Sequence, residues 1–148
     1  MPVILYALAF AAGVVLIVQV GVNTTLRNAL GEPVVATLVS FLVGSVALVG
    51  FLLLTRTAWP ARAQWEAIPW WAWLGGILGA FYVVSTIIAG PRLGAAALLA
   101  LIVLGQLVTA LLVDHFGWLG FPQHSVTALR LLGALLLFGG VLLIVHRS

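Results

Sequence analysis

The side chains that could do chemistry inside the long apolar stretches of this sequence are neutral. Gln19 and Asn23 stand one helical turn apart in the first stretch, Thr37 and Ser40 lie in the second, Tyr82 and Thr86 in the third, and Gln106 and Thr109 in the fourth. An unpaired amide in hydrocarbon costs several kcal/mol, roughly 4 or more against an alkane reference, so each of these groups needs a partner. Two readings fit Gln19 and Gln106: hydrogen bonds that tie one helix to another, or donors and acceptors lining a central cavity. Tyr82 is open in the same way, since a phenol can flank the apolar body of a ligand or bond a neighbour. The hydroxyls of Thr37 and Ser40 can also be satisfied by the preceding turn of their own helix.

The three acids, Glu32, Glu66 and Asp114, fall at the ends of apolar stretches or between them. No carboxylate is therefore placed to carry a proton through the membrane core. Asp114 and Arg130 flank one connector and read as a pair closing the last hairpin. His115 and His124 beside one aspartate are a weak metal signature, and interface anchoring explains them as well. Asp114, His115 and Ser125 resemble a hydrolytic triad in type only, because all three sit in one exposed connector with nothing to position them. No catalytic residue, metal or cofactor is assigned, and the chain does not read as an enzyme.

The elements that position these groups follow from composition. With 64% hydrophobic and 6% charged residues, the 148-residue chain has too little polar surface to coat a water-soluble globule. About 20 residues of helix cross the hydrocarbon, so five spans and short turns use almost the whole length as a single membrane domain, 1–148. The apolar runs place them at about 3–22, 34–54, 70–89, 94–113 and 126–145. Residues 23–33 read as a polar connector. The 55–69 connector carries Arg62 and Glu66 at i,i+4 beside Trp65, which suggests a short helix lying in the interface. Trp70, Trp71 and Trp73 form an aromatic belt at one headgroup level. Gly75 and Gly79 share a face with Tyr82 and Thr86 and read as a close-packing stripe; Gly133 and Gly140 offer a similar one in the last span. The first stretch lacks the basic flank of a secretory signal and is expected to be retained. Cysteine is absent, which removes disulfides and thiol chemistry and suits a bacterial inner membrane.

An odd number of spans puts the termini on opposite sides, and the arginines then divide evenly. Arg56, Arg62 and Arg130 fall on one side, Arg27, Arg92 and Arg147 on the other. Orientation follows an excess of Lys and Arg on the cytoplasmic side, so a tie predicts insertion both ways up, a tie that random placement also produces. Single arginines scattered among the connectors are headgroup anchors, not a nucleic-acid patch.

The ordered set Gln19, Asn23, Leu26, Gly31, Pro33, Ala36, then Pro69, Trp70, Trp71, Trp73, Gly75, Gly76, Gly79, then Pro91, Leu93, Gly94, Gly105, Gln106, Asp114, His115, Phe116, Gly117, Gly120, Pro122, Arg130 and Gly133 resembles the YdcZ-type family of the drug/metabolite transporter superfamily, over essentially the full length. The resemblance implies five-helix membrane proteins, some encoded as pairs or fused ten-helix forms, and kinship with small multidrug resistance proteins that work as antiparallel dimers. One departure matters: those exporters carry a membrane-embedded glutamate in their first helix, whereas the first span here has no acid and offers Gln19. Proton-coupled cation export therefore does not carry over.

The expectation is an all-α membrane protein, a five-helix bundle that pairs with a second copy, or with a homologous subunit, in antiparallel fashion to give ten helices with inverted symmetry. Its function would be secondary transport of a small organic solute by alternating access, with substrate contacts from Gln19, Tyr82 and Gln106, and more weakly Asn23 and Ser40. Gly75, Gly79, Asp114 and Arg130 would be structural. The competing reading is a non-transporting membrane scaffold or accessory subunit.

Overall fold

The computed structural model describes residues 2–146; Arg147, part of the arginine tie, lies outside them. Every regular element among the described residues is helical. In chain order they are α1 Pro2–Leu30, α2 Pro33–Leu54, the short α3 Arg62–Glu66, a 3-10 turn Trp70–Trp73, α4 Leu74–Leu93, α5 Ala95–Phe116, a 3-10 turn Trp118–Gly120, and α6 Ala128–Val145. Five segments are long and apolar enough to cross a membrane: Val3–Leu30, Pro33–Leu54, Trp70–Leu93, Ala95–Phe116 and Ala128–Val145.

Their ends differ from the hydropathy reading wherever the backbone, not polarity, decides. α1 does not stop near residue 22 but continues to Leu30, so Asn23, Thr24, Arg27 and Asn28 are helical and not a connector. Polar side chains do not break a helix; the Thr25 hydroxyl bonds back to Gly21 O at 3.1 Å. The stop comes at Gly31, where φ is +84° and its N–H closes on Arg27 O at 2.8 Å. Pro33 then opens α2 with its φ already suited to a first helical position. At 1.5 Å per residue α1 is about 43 Å long, enough to cross the hydrocarbon and enter the headgroup layer.

α4 begins after the tryptophans, which form the 3-10 turn, and runs through Pro91 to Leu93. Gly90 before the proline removes the Cβ clash that would otherwise end the helix, and the break falls at Gly94, with φ +76°. α5 likewise extends past residue 113 to Phe116, which puts Asp114 and His115 on its last turn; Gly117, at φ +64°, caps it by donating to Val113 O. α6 starts two residues later than expected, behind Thr127, whose hydroxyl accepts from Arg130 N at 3.3 Å.

The chain divides into two compact units, Met1–Ile88 and Ala89–Ser148. In the first, α1 and α2 form an antiparallel hairpin, and Ala36, Val83 and Ile87 make a small core against which Leu26 and Tyr82 pack. In the second, α5 packs on α6, with Ala97, Leu98 and Val141 buried. Most large apolar side chains of all five long helices are exposed, as expected where lipid or another chain is the solvent.

The 55–69 connector is ordered by its tryptophans. Trp65 on α3 stacks between Trp59 and Trp73, with centroids 5.7 and 5.9 Å apart. Gln64 closes the first turn of α3 by accepting from Ala61 N at 2.9 Å, and Arg62 pairs with Glu66 at 2.7 Å. That pair is exposed, so the apolar stack does more than the charges to hold α3.

Candidate functional site

The turn at Gly31 to Pro33 sets the register of the α1–α2 hairpin. Stepping away from the turn one helical turn at a time brings Asn23 level with Ser40 and Gln19 level with Gly44. A groove of about 240 Å³ lies along this seam, lined by Gln19, Ser40, Phe41, Gly44, Ser45 and Leu48. It gathers an amide and two hydroxyls at mid-span depth, between a phenyl ring and a leucine. The Gln19 side chain makes no hydrogen bond among the described residues and is exposed, so its donors and acceptor remain available.

Toward the hairpin turn the polar groups become enclosed. Asn23 is only 3% exposed, and its amide has no hydrogen bond among the described residues. Thr37 and Thr86 are also buried, but each hydroxyl donates to its own helix, to Pro33 O at 2.9 Å and Val83 O at 2.8 Å. Their protons are spent, leaving lone pairs as the free valence. The Tyr82 hydroxyl is enclosed without a partner beside the Ala36, Val83 and Ile87 core. Among the described residues of the first unit, Tyr82 and Trp65 thus each hold an enclosed polar atom without a hydrogen-bond partner, and Asn23 is buried without a hydrogen bond.

Gln106 is elsewhere. It lies on α5 in the second unit, exposed, without a hydrogen bond among the described residues. It lines neither of the two concavities between α5 and α6, one of about 370 Å³ around Leu112, Phe116 and Leu131, the other of about 400 Å³ around Asp114, Arg130 and Gly133. The glycines of α4 also part company. A Cβ on Gly79 would lie 3.5 Å from Phe41 Cζ, whereas at Gly75 nothing among the described residues comes within 4 Å.

The last connector is a tightly bonded cap. Arg130 Nη1 donates to Asp114 Oδ2 at 3.2 Å and to His124 O at 3.4 Å. His124 N donates to Asp114 O at 2.7 Å, Gln123 Nε2 to His115 O at 2.9 Å, and Val126 N to His115 Nδ1 at 3.4 Å. His115 therefore spends a ring nitrogen on holding the loop.

The profile of a family described as "Putative inner membrane exporter, YdcZ" matches residues 4–143, nearly the whole chain. The chain belongs to the YdcZ family. The inner membrane protein YdcZ of Escherichia coli (strain K12) is 30% identical over 142 residues, which cover 96% of this chain and 95% of that protein. No solved structure matches. As a member of the YdcZ family, the chain is a multi-pass inner-membrane protein. The groove residues missed in the sequence were Phe41, Ser45 and Leu48. Of the groove lining, the sequence offers only Gln19 and Ser40 as site candidates; Phe41, Ser45 and Leu48 stand at i, i+4, i+7, one stripe among several on a helix that is apolar nearly all round.

Proposed function

We propose that this YdcZ-family chain is half of a secondary transporter that exports a small, neutral or amphiphilic organic solute, by alternating access across an antiparallel pair of chains. The groove in which Gln19 and Ser40 meet carries this reading, since a concave strip with a few convergent polar groups in apolar walls is the form that small-molecule sites take. Asn23 and Tyr82, in the same unit as the groove, carry polar groups without a hydrogen bond among the described residues, and Gln106 is a separate exposed amide of the second unit. Exposed amides at Gln19 and Gln106 also favour a second copy, because lipid offers them nothing to bond. Two inverted copies would supply the inverted halves that transporters place around a midplane site.

The test is solute flux in vesicles reconstituted with the purified chain alone. Flux that Gln19→Leu abolishes supports the proposal. Vesicles that move no member of a panel of uncharged and amphiphilic solutes would return the chain to the role of a membrane scaffold.

A further inference from the structure

We infer that Gly79 sets the width of the Gln19–Ser40 groove, by giving the Phe41 ring a place to lie against α4, and so decides how bulky a solute the groove admits. The part concerning solute rests on the transport reading above; the part concerning width does not. Phe41 is a wall of the groove and is also the side chain that meets α4 at this level. A Cβ added at Gly79 would find only the tip of that ring within 4 Å, Cζ at 3.5 Å and Cε1 at 3.8 Å. A methyl therefore fits in ordinary van der Waals contact, but the branched end of a leucine would occupy the ring's own volume. The ring is 39% exposed and so is not clamped from its other side. Gly44, one turn along α2 on the groove wall, has nothing within 4 Å of a built Cβ, which leaves the groove as the space open to a displaced ring. A larger residue at 79 would push Phe41 inward and close the groove from α4, without touching a polar group.

The absence of cysteine makes this directly measurable. Ser45→Cys places one thiol in the groove wall of the full chain, and its rate of reaction with methanethiosulfonate reagents of increasing bulk reads the aperture. Gly79→Ala should leave the rates nearly unchanged. Gly79→Leu should slow the bulky reagent about tenfold more than the small one, and adding Phe41→Ala should restore it. Phe41→Ala with Gly79 intact should speed the bulky reagent, a result that does not depend on the leucine variant folding. Parental rates in Gly79→Leu, failure of Phe41→Ala to restore or to speed labelling, or a thiol that no reagent reaches would each overturn the inference. Labelling that behaves as expected in a chain that moves no solute would overturn the transport reading and leave the aperture standing.

Discussion

The Tyr82 hydroxyl is enclosed without a partner among the described residues, at a cost usually about 1–3 kcal/mol, and Asn23 is buried without a hydrogen bond among them. Such a cost persists where a ligand or partner supplies the missing bond. Tyr82→Phe deletes the orphan hydroxyl and keeps the ring, so it should raise the melting temperature of the purified chain by a few degrees while weakening solute-induced thermal stabilisation. A mutant that binds as before would make the hydroxyl incidental. Gln19 belongs to the same scale. An amide does not titrate, and no carboxylate lies in the body of α1, so solute movement should not depend on protonation in the membrane core. Replacing both His115 and His124 should leave flux largely intact, with or without an imposed pH gradient, whereas Gln19→Leu and Gln106→Leu should each remove solute binding from a folded chain. Flux that collapses without the gradient would reveal a proton carrier among other residues.

At the scale of elements, the connectors are held by specific devices. Gly117 combines a left-handed backbone, φ +64°, with a built Cβ only 3.2 Å from Gln123 Cβ, so Gly117→Ala meets both strain and crowding. It should destabilise the α5–α6 cap by ~1–3 kcal/mol, seen as a lower melting temperature and faster proteolysis in the 117–127 loop. Trp65 is the middle of a three-ring stack, and Trp65→Ala removes both ring contacts, each ~0.5–1.5 kcal/mol, so the 55–69 connector should become protease-sensitive while the spans stay intact. The short α3 and the Asp114–Arg130 pair were legible in the sequence because both rest on local charge spacing and chain order. The true ends of α1 and α5 were not, because hydropathy marks where a chain leaves lipid and not where its backbone stops being helical.

For the whole molecule, the arginine tie makes orientation the open quantity. Arg27, Arg56, Arg92 and Arg130 lie at or near the ends of membrane helices and Arg62 in the connector between two of them, which keeps the count meaningful. A carboxyl-terminal reporter for each compartment should give signal on both sides of the membrane, and two or three lysines added to the 55–69 connector should bias it to one. Signal from one side only in the parent chain would exclude an antiparallel pair of identical chains and leave a homologous subunit as the partner.

Residue type along the chain determined that it lives in a membrane, that five helices are long and apolar enough to cross it, and that no Asp, Glu, Lys or His sits at the middle of a span. Those conclusions are sums over residues, and a sum does not depend on what each side chain touches. Only the tertiary structure decided that Asn23 is enclosed, that Gln19 and Ser40 share a groove while Gln106 lies in the other unit, and that Phe41 lies against Gly79 while a Cβ at Gly75 would meet nothing among the described residues within 4 Å. In lipid the helices are apolar all round, since hydrocarbon is as good a neighbour as leucine, and periodicity then carries little word of which face meets which. In the first unit the facing of the helices is set by which side chains meet, Ala36 with Val83 and Ile87 and Phe41 with Gly79, and by the turn at Gly31, and both are three-dimensional facts.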